Sequence, residues 1–171
     1  MSRMQPIVSA RLLVRPYAID DVAAMHAVLL GDERAMALVG GALDPEQART
    51  SIAQSIAWSE RDGLGFGPVV ERASGRIVGE AGLVPFGGHG PEVELGYAFA
   101  TACWGRGYAT EIGRRLLDEA FGVLGLERVV AVTKECNAGS RNVLRKLGFE
   151  PAGRCHEWGA EQLFFVCDRD G

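Results

Sequence analysis

The stretch CWGRGYATEIGRR, residues 103–115, places two glycines and an arginine directly before a helix-forming run. A helix start leaves several backbone N–H groups unpaired, and the aligned peptide dipoles add partial positive charge there. Gly105 and Gly107 permit a turn tight enough for those amides to converge on an anion such as a pyrophosphate. Arg106 either adds its charge to that anion or points to solvent. The alternative is a plain glycine-rich connection. The usual nucleotide signatures are missing: there is no GK[ST], and GRGYAT has Thr110 where a dinucleotide fingerprint has its third glycine.

Glu94 is the first candidate for proton chemistry. Alternation along EVELGYAFA puts Glu92, Glu94, Gly96 and Ala98 on one face, with Val93, Leu95, Tyr97 and Phe99 on the other. A carboxylate among apolar neighbours on a central strand has a raised pKa and accepts a proton directly or through water. The alternative is a solvated charge on the outer face of a sheet. Glu80 and Glu157 stand in reserve. Asn137 and Ser140 place two polar groups beside a strand end, and Ser140 either orients a proton donor or caps its helix. Tyr97 and Tyr108 are possible acids, read first as core and loop packing. Cys103 and Cys136 have no histidine nearby in sequence and read as inert thiols rather than nucleophiles. His26 reads as surface and Trp58 as helix packing.

The 171 residues suffice for one domain with a real core, here about residues 10–168. A net charge of −4 gives no electrostatic case for nucleic acid. No apolar run approaches a membrane span, and the opening MSRMQPIVSARLLVRP lacks the apolar segment of a signal peptide. A cytoplasmic protein with reduced thiols is expected. The four cysteines form no CxxC and no histidines share metal-ligand spacing, so no metal site is expected. Cys155 and Cys167 could face each other across a hairpin.

The elements that must hold these residues follow from pattern. VSARLLVRP reads as a first strand ending at Pro16. AIDDVAAMHAVLL is a helix that Asp20 or Asp21 can cap, with Val22, Met25 and Leu29 at helical spacing and Gly31 at its end. DERAMALVGGALD has no clear period and reads as a loop or short helical turn. DPEQARTSIAQSIAWSERDG is a helix with Asp44 as cap, Pro45 in first position and Gly63 as terminator. GFGPVVER, GRIVGEAGLVPF and EVELGYAFA are strands. The glycine loop then opens a helix to about Leu124, with Ile112, Leu116, Ala120 and Val123 on one side. ERVVAVTK is a buried strand, AGSRNVLRKLGF a short helix closed by Gly148, and the remainder a hairpin turning near Gly159. The order βααβββαβαββ predicts a mixed α/β fold.

Three segments together, SARLLVRP…D, VELGYAFATACWGRGYATE and N-x-x-S-x-x-V-L-x-K-L-G-F (Asn137 to Phe149), resemble the GNAT acyltransferases. The match is closest to their ribosomal-protein N-terminal acetyltransferase-like branch, the RimJ/RimL type, and runs from about Ala10 to Cys167. The family's R/Q-x-x-G-x-G/A loop falls on Trp104–Ala109, with tryptophan where many members have Arg or Gln. The resemblance implies a mostly antiparallel central sheet, splayed at the cofactor site and flanked by helices. It implies acetyl-CoA as co-substrate, its pyrophosphate on the amides of Arg106, Gly107, Tyr108, Ala109 and Thr110, with Trp104 and Gly105 shaping the loop. The pantetheine would run along the splayed strand end as far as Phe99 and bond Asn137, with Ser140 near the thioester sulfur at the family's position for the acid. His89, in the FGGHGP loop, would touch the acceptor. The implied activity is direct acetyl transfer to a primary amine of a protein N-terminus or small molecule, by a monomer or homodimer. The alternative is a CoA-binding or sensor module of the same fold without turnover.

Overall fold

The structure, a computed structural model, describes residues 3–171. Eight strands make one sheet: β1 (Ile7–Val8), β2 (Leu12–Val14), β3 (Gly65–Glu71), β4 (Ile77–Pro85), β5 (Val93–Phe99), β6 (Arg128–Thr133), β7 (Glu150–Glu157) and β8 (Ala160–Asp168). Their spatial order is β1-β2-β3-β4-β5-β6-β8-β7. Every neighbouring pair is antiparallel except β5 and β6, which run parallel and share one paired position, Glu94 opposite Val130. The mixed, mostly antiparallel sheet is as expected, and it splays where β5 and β6 part beyond that pair.

Helices cover both faces. On one lie α1 (Val22–Met25), α2 (Glu33–Met36) and α3 (Pro45–Asp62); on the other, α4 (Tyr108–Asp118) and α5 (Ala138–Leu147). The α3 ends are those its sequence encodes. Asp44 accepts from the Gln47 N–H at 2.8 Å while the Gln47 side chain accepts from the Asp44 N–H at 2.9 Å, and Gly63 ends the helix at φ 73°. Such reciprocal capping stabilises a helix start by about 1 kcal/mol. Ala48, Ile52, Ser55 and Ser59 face inward along α3. The second layer packs Ile112, Leu116 and Ala120 against the Val-rich β6, whose Val129 and Val130 are fully buried.

Four details depart from the sequence pattern. The expected first strand is two short ones, because Ser9 reverses the chain. Its N–H bonds the Leu12 carbonyl, its hydroxyl accepts from the Leu12 N–H, and Glu111 takes both that hydroxyl and the Arg11 N–H. Val123 was expected on the buried side of the helix but is 72% exposed. After Asp118 the chain winds as a π turn, Glu119–Val123, and the extra residue per turn rotates Val123 outward. Asp21 does not cap α1; it holds Arg15 and the Ala18 N–H instead. His26 is half-buried rather than a surface residue, with Nε2 3.0 Å from the Leu43 carbonyl.

Cys155 stands opposite Gln162 in the β7–β8 register and Cys167 opposite Val129 across β6, so the hairpin does not bring the two thiols together. Among the described residues no helix is long and apolar enough to cross a membrane.

The middle of the sheet depends on glycine. A Cβ at Gly82 would lie 2.0 Å from the Gly65 carbonyl oxygen, a main-chain atom of the adjoining strand. Gly82→Ala is therefore expected to lower unfolding stability by at least about 2 kcal/mol in urea titration. Gly122→Ala, whose Cβ meets nothing within 4 Å, is the control and should be neutral or stabilising by up to about 1 kcal/mol.

Candidate active site

Where β5 and β6 part, a cleft of about 630 Å³ opens through the sheet. Strand residues Glu80, Glu94, Gly96 and Tyr97 line it on one side and Ala131 to Lys134 on the other. The α2–α3 connection supplies an apolar wall of Leu38, Val39 and Leu43, and α5 contributes Ser140 and Leu144.

Glu94 sits in this cleft with only 4% of its surface exposed. Strand alternation turns it away from the core made by Val93, Leu95 and Phe99, as the sequence indicated. It is not a solvated outer charge. Oε1 accepts from the Trp158 indole N–H at 3.0 Å, and Oε2 is buried without a hydrogen-bond partner among the described residues. Burial pushes its pKa up to about 7; the Trp158 bond opposes the rise and the nearby Glu157 charge adds to it. Trp158 reaches this point because the β7–β8 hairpin turns there with φ 54°, followed by Gly159 at φ 73°. Its ring packs 6.3 Å from that of Phe66.

Glu80 lines the same cleft from β4. The Tyr17 hydroxyl donates to its Oε1 at 2.5 Å, and burial pushes its pKa up to about 7 against that bond. Glu157, the other reserve carboxylate, does not line the cleft.

Across the opening, the Tyr97 hydroxyl lies 3.0 Å from Ser140 Oγ. Burial pushes the tyrosine up to about 12, opposed by that hydrogen bond. Helix α5 is capped by Asn137, whose Oδ1 accepts from the Ser140 N–H at 3.1 Å. The capping role weighed for Ser140 thus falls to Asn137, and the serine hydroxyl is left to pair with Tyr97.

The glycine loop borders the splayed end of β5, outside the cleft lining. Gly105 and Gly107 take φ 77° and 76°, a left-handed conformation that disfavours any other residue. Nothing lies within 4 Å of a Cβ at Gly105, and only the Arg11 guanidinium, at 3.7 Å, near one at Gly107. No side chain caps α4, and the first of its amides taken by the helix is that of Glu111, which donates to the Gly107 carbonyl. The amides of Tyr108, Ala109 and Thr110 thus have no helical or capping partner among the described residues. Glu71 braces the loop by accepting from the Tyr108 hydroxyl and lying 3.8 Å from Arg106. Trp104 donates its indole N–H to the Phe99 carbonyl at 2.9 Å, and the buried Phe99 ring packs 6.1 Å from Tyr108.

The structure therefore gathers Glu94, Glu80, Tyr97 and Ser140 in one cleft, with Asn137 and the glycine loop beside it. His89 is apart: it is exposed, absent from the cleft lining, and bonded through Nδ1 to the Gly90 carbonyl at 2.6 Å. Cys103 is half-buried and Cys136 exposed, both free thiols. Sequence reasoning missed Trp158, Tyr17 and Phe66. The only local signal was Trp158 preceding a turn glycine, and nothing in sequence ties that indole to a strand 64 residues earlier.

Two carboxyls near pKa 7 make a direct prediction. Their folded values lie above the ordinary 4.5, so burial favours the folded state at low pH and opposes it as pH rises through about 7. Glu94→Gln should match the wild type in stability below about pH 4.5 and exceed it above pH 7, by on the order of 3 kcal/mol. Trp158→Phe, which removes the opposing donor, should shift the Glu94 carboxyl signal to a still higher midpoint in a carbon-13 NMR titration.

Sequence comparison accords with this geometry. The family model for the acetyltransferase (GNAT) domain matches residues 11–150. The uncharacterized protein YkkB of Bacillus subtilis (strain 168) is 28% identical over 163 residues, covering 92% of each chain. A putative GnaT-family acetyltransferase from Bordetella pertussis shares 27% identity at a TM-score of 0.80, over 95% of this chain and 98% of its own. RimL, a ribosomal L7/L12 alpha-N-protein acetyltransferase solved with coenzyme A, shares the fold at a TM-score of 0.81 and 17% identity, over 97% and 99% of the two chains. With a family model that covers most of its length and a sheet of this design, the chain belongs to the GNAT family of acetyltransferases.

Proposed function

We propose that this enzyme moves an acetyl group directly from the thioester of acetyl-CoA to a primary amine bound in the cleft. The observation that carries the reading is Glu94: a buried carboxylate with one oxygen unpartnered, lining the cleft, and a pKa near neutrality.

The residues present fit the cofactor. Uncapped amides at the start of α4, the open space above Gly105 and the Arg11 guanidinium beside Gly107 suit a pyrophosphate. Ala100 donates to the Val78 carbonyl, so alternation turns the backbone groups of Tyr97 and Phe99 from β4 toward the gap left by β6. An extended pantetheine amide chain would pair there, with the Asn137 amide group beside it. Acetyl-CoA supplies the activated acyl carbon and a thiolate leaving group.

The chain's own groups handle the protons. Glu94 Oε2 accepts the proton that the amine loses as its nitrogen bonds to the acyl carbon. When the carbon–sulfur bond breaks the thiolate would take its proton from water, and the Ser140 hydroxyl, paired with Tyr97, would donate a hydrogen bond to that sulfur. Neither Cys103 nor Cys136 lines the cleft, which favours direct transfer over an acyl-enzyme. His89 has no part in this reading. The acceptor amine belongs to a small molecule or a protein N-terminus.

Two measurements test the proposal. Gly107→Val forces a β-branched residue into left-handed backbone beside the anion site, and calorimetry should show coenzyme A binding lost while the melt remains cooperative. Full affinity in a folded variant would remove the loop from the site. Glu94→Gln should lower kcat by about 100-fold or more with little change in acetyl-CoA affinity. The wild-type rate should rise with pH through about 7 as Glu94 loses its proton, and the variant should lack that step. A flat response would exclude Glu94 as the base.

A further inference from the structure

Glu80 and Glu94 stand on one face of the β4–β5 pair, and a matched row lies between them. The register sets Glu80 against Ala98, Gly82 against Gly96 and Val84 against Glu94. Phe66 of β3 stands opposite Gly82, and a Cβ at Gly96 would come within 2.8 Å of its ring. The ring thus lies across two glycines, midway between the two carboxylates. Four strand residues separate the acids along the sheet, roughly 13 Å at the backbone. The apolar wall of Leu38, Val39 and Leu43 flanks the same trough.

Among the described residues neither Glu80 nor Glu94 pairs with a lysine or arginine. The lining holds Asp44, Glu46, Glu80 and Glu94 against Lys134 alone, and that ammonium is turned to the Ala37 carbonyl at 3.4 Å. Glu80 receives one hydrogen bond, from Tyr17, whose other charged neighbours are Asp21 and Arg15 in their own ion pair. At the other end, the buried Oε2 of Glu94 has no partner. A buried acid and a half-buried one, neither paired with a cation among the described residues and joined by an aromatic and aliphatic channel, describe the negative image of an alkyl chain with a cationic group at each end.

We propose that the acceptor is an aliphatic diamine or polyamine: Glu94 meets the amine to be acetylated, and Glu80 anchors the distal ammonium. The proposal rests on the amine-acetylation reading above and names its substrate class. Burial pushes both acids up to about 7, and an entering ammonium restores their ionised form. A protein N-terminus has no need of the second acid.

The test uses the whole chain with acetyl-CoA, release of free thiol as readout, and α,ω-diaminoalkanes from butane to octane. The n-alkylamines of equal length and a peptide with a free N-terminus and uncharged side chains serve as comparison. At one chain length the diamine should exceed its monoamine in kcat/KM by about tenfold or more. Glu80→Gln, which keeps an acceptor for Tyr17, should erase that advantage through a higher KM for the diamine. Equal turnover of diamine and monoamine, or preference for the peptide, would overturn the proposal and leave the acetyltransferase reading intact. A fall in kcat alike for both amines in Glu80→Gln would also overturn it, marking Glu80 as the base. If no amine is acetylated, calorimetry of the CoA-loaded enzyme decides. Diamine binding lost in Glu80→Gln would support the anchor while sinking the transfer reading, and absence of diamine binding would overturn the anchor itself.

Discussion

One paired position holds the two halves of the sheet together. β5 and β6 meet at Glu94 and Val130 and then diverge, and the cleft exists because of that divergence. Parallel strands need a crossover, here α4, and the chain then leaves β6 into α5. Both helices therefore begin at the carboxyl ends of the parting strands and bring their positive ends to either side of the gap. Backbone groups left unpaired along β5 must find partners elsewhere. One already does: the Phe99 carbonyl accepts from Trp104, the tryptophan at the head of the glycine loop.

The glycine loop is in turn held by charge at long range. Glu111 on α4 binds the Arg11 guanidinium at 2.7 Å, the Ser9 hydroxyl at 2.5 Å and the Arg11 N–H at 2.9 Å. Arg11 also stacks 4.7 Å over the Tyr108 ring, and Glu71 from β3 accepts from the Tyr108 hydroxyl. The pair is half-exposed on the arginine side, so its net value is at most about 1 kcal/mol. Its effect is geometric: the β1–β2 turn and the end of β3 fix the first turn of α4.

A buried carboxylate and a half-buried one are a standing cost to this fold. Each loses solvation and receives one compensating donor, Trp158 for Glu94 and Tyr17 for Glu80. Both donors come from segments outside β4 and β5. The hairpin turn thus contributes a wall of the cleft and a hydrogen-bond donor, and the chain before α1 a donor to one of its carboxylates. An apolar residue at either position would suit stability better, and that contrast is the physical argument for a functional demand on both sites.

Much of this was legible in the sequence because it is local. Capping by Asp44 and Gln47, termination at Gly63 and Gly148, the strand phase that turns Glu94 from the core, and the glycines before α4 are all set by neighbours within four residues. The resemblance to a known family supplied the sheet's splay and the expectation of acetyl-CoA. Tertiary structure decided what depends on distant partners. It gave the helix cap to Asn137 and the serine hydroxyl to Tyr97, 43 residues away. It broke the first strand through Glu111, about 100 residues on, and rolled Val123 outward through a π turn that no hydrophobic period announces. It placed Trp158 on Glu94 and Tyr17 on Glu80, and it left His89 outside the cleft. Local chemistry fixes which elements form and which way their side chains point, whereas the ionisation of a carboxylate depends on what the rest of the chain packs over it.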